Sequence, residues 1–345
     1  MIAWLKEVGR GKRGARDLTY EECLQAAEEI MSLRATPAQI GAFFIAERIK
    51  MESVEELEAF VEACRKTAHR EALHPDGLDC AGPYDGRKKT FFASFACSFV
   101  LAAAGLPVTL HGTDSLPPKW GVTLHDMLKL VGIRPEELPR ETLAAAAKRT
   151  GLLYVPAEQW CPPLKQLRPI REQLGMRTVL NTAEKLIDYG HSPYLVFGVY
   201  HNTVFDRLAR LMTKLNYRKA LIVQGAEGSE DLFVDRPTRT YLVEQGNASL
   251  QVVSPEAWGL DTPVPEVEWT AALQIETTEA VLRGDADMAF INQVLLNAAY
   301  RLHLAGRVGS VEEGLYTGKA LLENRQAWSV YVEWRDLLAQ SYVHR

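Results

Sequence analysis

The residues of this sequence best suited to chemistry lie between Leu78 and Gly121, where a glycine-bearing loop follows a short apolar run. The loop, Gly82 to Gly86, leads into three cations, Arg87, Lys88 and Lys89. A helix that begins after such a loop presents unpaired backbone N–H groups, and its dipole favours negative charge at that end. The pattern predicts a site for phosphate. Because the loop matches neither GxxxxGK[ST] nor GxGxxG, an ordinary strand–loop–helix unit with solvated cations is the alternative.

The stretch from Thr90 to His111 contains no Asp, Glu, Lys or Arg, which predicts buried elements. We expect a helix with Ser94 at its N-cap, because a serine hydroxyl accepts from the free amides of a helix start, and an end at Gly105. The stretch is also about as long as a membrane span. Because Pro107 would stop a helix in the middle of this stretch, the sequence predicts a protein core and no membrane segment.

The elements around this stretch divide the chain in two. Helical patterns fill residues 1–72, with capping signals at Thr19, Thr36 and Ser53. From residue 73 onward, apolar strands alternate with helices, and a loop is expected to begin at Pro162-Pro163. A hairpin pattern then surrounds Gly246-Asn247, and helices follow. This order predicts an α/β protein with a small N-terminal helical domain and a large domain, whose mostly parallel central sheet is covered by helices.

Composition limits the class of protein. The 345 residues carry a net charge of −5, and their 47% hydrophobic content is enough for a sizeable core. The five cysteines form no CxxC pair and the eight histidines do not cluster, so no zinc site is predicted. Because the first residues form no apolar leader, we expect a cytoplasmic protein with reduced thiols.

Several segments resemble the anthranilate phosphoribosyltransferase family, which shares its fold with thymidine-type nucleoside phosphorylases. The segments are the three N-terminal helices, AGPYDG, TFFASFACSFVLAAAGLPVTLHG, PIREQLGMRTVLNT, YLVFGVY and VQGAEGSEDLF. Together these segments cover nearly the whole chain, in the order and spacing that the family shows. The resemblance implies a small domain at 1–72, completed by helices near 165–190, and a large domain at 73–345. It also implies a homodimer formed through the helical domain.

The resemblance further implies transfer of a phosphoribosyl group from phosphoribosyl pyrophosphate (PRPP) to an aromatic amine, with Mg²⁺ neutralising the diphosphate. The phosphate-binding candidates that it suggests are Gly82, Asp85, Gly86, Lys89, Ser94, His111, Gly112, Thr113 and Lys119. Arg171 matches the position that holds the acceptor carboxylate, and Glu230-Asp231 match the magnesium-binding acids in reversed order. The alternatives are a surface cation and two solvated loop acids.

The same segments depart from the family where the diphosphate would lie. The family's GTGGDG becomes Ala81 to Gly86, in which Pro83 has no N–H to donate and Tyr84 adds a large side chain. The family's NIST keeps only Ser94, and its KHGNR becomes Leu110 to Asp114, with two cations lost and one anion gained. At short range such charge changes weaken diphosphate binding strongly. The departures predict a degenerate donor site.

The segments GRGKRGARDLT and LGMRTVLNTAEKL resemble a divergent branch of the family that includes nucleic-acid-binding proteins. Cations on a flexible glycine-rich loop suit contact with a phosphate backbone, and they are Arg10, Lys12, Arg13 and Arg16. The alternative is a solvated loop whose arginines pair with nearby acids.

We therefore predict an altered or non-enzymatic member of the family that binds a polyanion such as nucleic acid. The runner-up is an active, magnesium-dependent phosphoribosyltransferase that acts on anthranilate or another aromatic acceptor. A plain tryptophan-pathway enzyme ranks below both.

Overall fold

The structure is a computed structural model, and it describes residues 1–11, 13–73 and 75–340. The N-terminal helices of the small domain are α1 (Ile2–Val8), α2 (Tyr20–Met31), α3 (Pro37–Lys50) and α4 (Val54–Thr67). The predicted capping signals at Thr19, Thr36 and Ser53 are confirmed, because each side chain accepts from the amide three residues on and each third residue bonds back. Phe43, Phe44 and other apolar residues on the inner faces of these helices are fully buried.

The large domain contains one sheet of seven strands. They are β1 (Leu78–Ala81), β2 (Val108–Gly112), β3 (Leu152–Pro156), β4 (Tyr194–Gly198), β5 (Lys219–Val223), β6 (Thr238–Glu244) and β7 (Asn247–Val253). Their spatial order is β3-β2-β1-β4-β5-β6-β7, and the first five are parallel whereas β6 and β7 are antiparallel. The predicted hairpin is confirmed, with its turn at Gln245-Gly246.

Helices cover the sheet, so the predicted fold class is confirmed. They are α5 (Ala93–Ala103), α6 (Leu124–Leu130), α7 (Arg140–Thr150), α8 (Ala157–Trp160), α9 (Pro162–Leu174), α10 (Leu180–Ala183), α11 (Phe205–Lys214), α12 (Ala271–Arg283), α13 (Met288–Leu304), α14 (Val311–Glu323) and α15 (Gln326–Gln340). Helix α9 packs against α2 and α3, and α10 packs against α4, so both lie on the small domain. Among the described helices, none has the length and apolar character needed to cross a bilayer.

Two local predictions were wrong. Ser94 is not an N-cap, because α5 begins at Ala93 after Phe92, and the cap position makes no side-chain hydrogen bond. The Ser94 hydroxyl instead lies 3.4 Å from Nη2 of Arg87 and accepts from it. Helix α9 begins at Pro162, where we expected a loop, because proline fits the first turn of a helix.

Candidate functional site

The site lies at the carboxyl ends of β1 and β2, which is where ligands bind in open parallel sheets. There the structure brings together six of the predicted residues: Gly82, Ser94, His111, Gly112, Thr113 and Glu230. The cavity that they line together with Tyr84 and Phe92 has a volume of only about 30 Å³. A space of that size holds about one water molecule, not a diphosphate.

Tyr84 fills much of this space. Its hydroxyl lies 2.7 Å from Nδ1 of His111 and donates to the carbonyl of Glu184 at 3.3 Å. On the other side of the ring, Nε2 of His111 lies 2.9 Å from Oδ1 of Asp79, although neither oxygen of that carboxylate makes a well-aligned hydrogen bond. All three side chains are buried, and burial raises the pKa of Tyr84 well above its usual value. The ring thus closes the space above β1 and β2.

Arg87 crosses the site from the opposite direction. Its Nη1 donates to Oδ2 of Asp231 and to the carbonyl of Phe91, both at 2.6 Å, and its guanidinium lies 4.2 Å from the Phe92 ring centroid. Its backbone forms an antiparallel bridge with Val122, in which each N–H donates to the other's carbonyl at 2.8 Å. The side chain of Arg87 is buried, and hydrogen bonds hold both its guanidinium group and its backbone.

The acidic pair Glu230-Asp231 therefore contacts arginines of the same chain. Arg301 donates to the second oxygen of Asp231 at 3.0 Å, and Arg87 lies 3.6 Å from Oε2 of Glu230. Burial raises the pKa of Asp231, but the two arginines outweigh it and the net shift is downward. Gly82 lies so close that a Cβ there would be 2.6 Å from Oε2 of Glu230.

As they are arranged here, Asp231 offers Mg²⁺ no free oxygen, whereas Oε2 of Glu230 accepts no hydrogen bond. Both oxygens of Asp231 already accept from guanidinium groups, so they offer no free ligand to a hard cation. Among the described residues, no three His, Cys, Asp or Glu side chains are grouped so as to hold a metal ion. The assignment of Glu230 and Asp231 to a metal stays a prediction.

Two backbone amides that follow the phosphate loop also have a partner within the chain. The carboxylate of Glu227 accepts from the amides of Lys88 and Lys89, at 2.9 and 3.0 Å, and from the hydroxyl of Thr90 at 2.9 Å. Burial raises the pKa of Glu227, yet these hydrogen bonds lower it overall. Glu227 has a φ of +56°, a left-handed conformation that favours glycine. A carboxylate of the same chain thus accepts from donors beside the loop for which the sequence predicted an external anion.

The other phosphate candidates lie around this contact. Lys119 donates to the Glu227 carbonyl at 2.8 Å and lies 3.0 Å from Oδ1 of Asp85, which is buried. Burial lowers the pKa of Lys119. Gly86 has a φ of +75° and packs against Gly121. The side chain of Lys89 lies outside the small cavity and lines a separate surface depression of about 490 Å³.

Arg171, the predicted acceptor-binding residue, is buried in a two-pronged pair with Glu184. Nη1 and Nη2 of Arg171 donate to the two oxygens of that carboxylate at 2.6 and 2.9 Å. Burial lowers the pKa of Arg171, whereas Glu184 raises it, and the net shift is upward. The guanidinium is therefore already matched by a carboxylate of the same chain.

The N-terminal basic loop is exposed, and acids pair with most of it. Arg10 donates to Glu7 at 2.9 Å, and Arg16 donates to both oxygens of Glu22 at 2.7 Å and to Glu7 at 3.0 Å. Arg13 is also exposed. Lys12 lies outside the described residues. The pairing is the one that the alternative interpretation of this loop predicts.

A second cavity, of about 370 Å³, opens between the small domain and the large domain. Its charged wall residues are Arg48, Glu52, Asp85, Arg177, Lys185 and Arg207, and aromatic residues, including Tyr84, Phe197 and Tyr200, complete it. Arg177 spans the cavity wall, because it donates to Asp85 at 2.8 Å while its own carbonyl accepts from Arg48 at 3.0 Å. We call this cavity the interdomain cleft.

The prediction from sequence missed Arg301, Glu227, Asp79 and Lys185. Two of them carry a signal, since Asp79 interrupts the apolar run of β1 and Arg301 is a lone arginine within the buried face of α13. Glu227 carries none, because its partners lie 137 to 139 residues away.

Comparison with known proteins agrees with this fold. Residues 77–328 match the Glycosyl transferase family, a/b domain, and residues 3–68 match the Glycosyl transferase family, helical bundle domain. An anthranilate phosphoribosyltransferase of Persephonella marina is 28% identical over 340 residues, which cover 96% of this chain and 98% of the relative.

Two solved structures show the same fold. The anthranilate phosphoribosyltransferase of Thermus thermophilus superposes with a TM-score of 0.83 at 22% identity, covering 97% of this chain and 98% of that chain. The enzyme from Saccharomyces cerevisiae in complex with PRPP and Mg superposes with a TM-score of 0.81 at 18% identity, covering 98% of both chains.

Proposed function

The chain belongs to glycosyl transferase family 3, and on that premise we propose that it has lost phosphoribosyl transfer and binds a polyanion such as nucleic acid. One observation carries the first half of this proposal. The Tyr84 hydroxyl lies 2.7 Å from His111, and the space left beside it is about 30 Å³. A donor with two linked phosphates requires a wide, amide-lined pocket at this position.

The pairs of opposite charge around that space support the same conclusion. Arg87 and Arg301 neutralise Asp231, and Glu227 accepts from the amides of Lys88 and Lys89, which follow the loop. Binding of PRPP with Mg²⁺ at Asp231 would have to break the buried, charge-assisted hydrogen bonds that Arg87 and Arg301 donate to it.

Calorimetry tests the loss of donor binding. We expect no binding heat when PRPP and Mg²⁺ are added at millimolar concentration, whereas the Saccharomyces cerevisiae enzyme titrates under the same conditions. A variant with Pro83→Gly and Tyr84→Gly restores the glycine-rich backbone and serves as the gain-of-binding arm. Saturable binding of PRPP to the unmodified protein would overturn this half of the proposal.

The basic loop at residues 10–16 supports the second half. Its arginines are exposed, and their ion pairs with acids lie at the surface, where such pairs contribute little to stability. A phosphate backbone can displace such partners at small cost, because it gains contacts and releases counterions.

Fluorescence anisotropy with a labelled single-stranded oligonucleotide tests polyanion binding. We expect an affinity that falls steeply between about 50 and 200 mM salt. Changing Arg10, Lys12, Arg13 and Arg16 to Ala should flatten the salt dependence. A matched variant removes four exposed cations of the large domain, Arg140, Lys148, Lys319 and Arg325, and should bind as the wild type does. Equal binding by both variants would place the polyanion elsewhere and contradict the proposal.

A second candidate function is an active phosphoribosyltransferase whose donor loop opens when PRPP binds. The observation that favours it is the common lining of one cavity by Ser94, His111-Gly112 and Thr113, at the positions of the family's phosphate site. In that case the loop amides and Ser94 would hold the diphosphate. Turnover of PRPP with anthranilate in the presence of Mg²⁺ would establish this function in place of the first.

We also propose a homodimer formed through the helical domain. Ile2 on α1 and Ile49 on α3 expose large apolar side chains there, and Met51 follows directly after α3. A groove of about 390 Å³ lined by small and apolar residues lies between α1 and α3. A second copy of the helical domain would remove this surface from water.

A further inference from the structure

Lys185 occupies an unusual position in the interdomain cleft. It follows α10 directly, within a short 3-10 turn at Glu184–Leu186, and its side chain reaches the carboxyl end of β4. There Nζ donates to the carbonyl of Gly198 at 2.7 Å and lies 3.7 Å from the centroid of the Phe197 ring. The residue is 6% exposed and lines the cleft of about 370 Å³. Its amine is therefore shielded from bulk water but faces an open cavity.

The amine has no acid partner at close range. Among the described residues, no carboxylate oxygen lies within 4.0 Å of Nζ of Lys185. By contrast, three acids lie within 4.0 Å of Nζ of Lys50, whose side chain is also buried. Burial lowers the pKa of Lys185 to about 7, with Glu230 opposing that shift and Arg177 adding to it. A large fraction of this amine is consequently neutral near pH 7, which is the nucleophilic form.

The rest of the cleft is suited to a ligand with a negative charge. Arg48, Arg177 and Arg207 line it, against the two acids Glu52 and Asp85. Arg207 donates through Nη1 to the carbonyl of Glu52 at 2.6 Å, while its buried Nε has no hydrogen-bond partner. A buried donor without a partner is costly, so an anionic group that reaches Nε would be stabilised. Phe197 and Tyr84 supply flat apolar walls.

We propose that Lys185 is a nucleophilic amine that binds a small aldehyde or ketone bearing an anionic group, through a reversible imine. The neutral amine attacks the carbonyl carbon, so that a C–N bond forms and the carbonyl electron pair moves to oxygen. Both amine protons then go to that oxygen, which leaves as water while the C=N bond forms. The step needs no oxidant, reductant or metal. The arginines of the cleft hold the anionic group, and the wall of Phe197 excludes water from the imine.

Reductive trapping tests this proposal on the full-length protein. Pyridoxal 5′-phosphate, an aldehyde that carries phosphate, is added at equimolar concentration near neutral pH, and any imine is reduced with borohydride. Peptide mass spectrometry then reads the label at every lysine. We expect at least about tenfold more label at Lys185 than at Lys214, because Lys214 is exposed and paired with Glu58 at 2.8 Å.

Variants separate the amine from its surroundings. Lys185→Arg keeps a cation but cannot form an imine, and should lose the labelled peptide without new labelling elsewhere. Lys214→Arg is the matched control and should label at Lys185 as the wild type does. Arg207→Gln should lower labelling at Lys185 at limiting probe.

Because the wild-type readout is made peptide by peptide, it does not depend on any variant folding. Label spread over exposed lysines, or an unmodified Lys185 in the wild type, would overturn the proposal. Neither outcome bears on PRPP or oligonucleotide binding, which are measured separately.

Discussion

Tyr84 anchors a group of buried polar side chains at the carboxyl ends of β1 and β2. A glycine at this position would leave the space open, whereas the tyrosine fills part of it and its hydroxyl lies 2.7 Å from Nδ1 of His111. His111 in turn contacts Asp79, so a buried polar row crosses the carboxyl end of the sheet. The stability of that row depends on the tyrosine hydroxyl, because a buried polar atom that loses its partner keeps the cost of desolvation.

The first prediction follows from this row. Tyr84→Phe removes the hydroxyl and leaves Nδ1 of His111 without its partner, so we expect a loss of about 1 to 3 kcal/mol in the free energy of unfolding. Urea titration followed by circular dichroism measures it. Tyr200→Phe is the control, since that ring is exposed and should change stability by less than about 0.5 kcal/mol. A Tyr84→Phe variant as stable as the wild type would show that the row is not a stabilising contact.

The second prediction concerns Arg87. Its removal leaves Glu230 and Asp231 with Arg301 alone, and breaking a buried ion pair by removing one partner costs about 3 to 5 kcal/mol. We expect Arg87→Met to lose roughly that much at neutral pH, measured by urea unfolding. Arg87→Met combined with Asp231→Asn should recover part of the loss.

The sign of the pH dependence follows from Asp231. In the wild type its pKa lies below the usual 3.8, so the pair stabilises the folded state above that pH and the contribution is lost as pH falls. Without Arg87 the carboxylate takes up a proton more readily. The difference in free energy of unfolding between the wild type and Arg87→Met should therefore become smaller as the pH falls to about 4. A deficit that is constant with pH would mean that the loss comes from packing and not from charge.

Among the helices, α3 carries a buried acid that makes the small domain sensitive to pH. Glu47 is fully buried, neither of its oxygens accepts a hydrogen bond, and Lys50 lies 3.6 Å away but bonds Glu56 more closely, at 2.5 Å. Burial, with Glu56 adding to it, raises the pKa of Glu47 from 4.5 to about 9. The folded helix therefore holds a proton at neutral pH that the unfolded chain releases.

The third prediction uses that proton. Because the folded state binds the extra proton between the two pKa values, the free energy of unfolding should fall as pH rises from 4.5 toward 9. The limiting slope is about 1.4 kcal/mol per pH unit. Glu47→Gln cannot ionise, so in urea titrations its slope over this range should be less negative than the wild-type slope by up to this amount. Glu21→Gln, on the exposed face of α2, should keep the wild-type slope, and a slope that persists in Glu47→Gln would assign it to another group.

Across the whole molecule, the large apolar residues of α3 divide between two roles. Ile40, Phe43 and Phe44 are buried within the chain, whereas Ile49 remains 59% exposed. Intrachain packing therefore explains most of these residues, and only the end of α3 is left for a partner copy.

The fourth prediction tests that end. We expect Ile49→Glu to convert a dimer into a monomer, because a charge within an apolar contact is costly to desolvate. Light scattering coupled to gel filtration gives the mass. Leu250→Glu, at an exposed position on the outer strand β7, is the matched control and should leave the dimer intact. A monomeric wild type would contradict the proposed dimer itself.

The sequence by itself determined the elements of this protein and their order. The capping residues Thr19, Thr36 and Ser53, the glycine turn before β7 and the apolar strands each depend on neighbours a few residues away, so their patterns are legible along the chain. The departures at Pro83 and Tyr84 were also visible there.

Only the tertiary structure decided what the polar residues contact. Arg87 meets Asp231 across 144 residues of sequence, and Glu227 meets the amide of Lys88 across 139, because the sheet order sets the loops that follow β1 and β5 on either side of β4. Burial then fixes the pair of Arg87 and Asp231, since a charge away from water must find a partner of opposite sign or a hydrogen-bond donor. Lys185 was unremarkable in the sequence for the same reason: its cleft exists only where two domains meet.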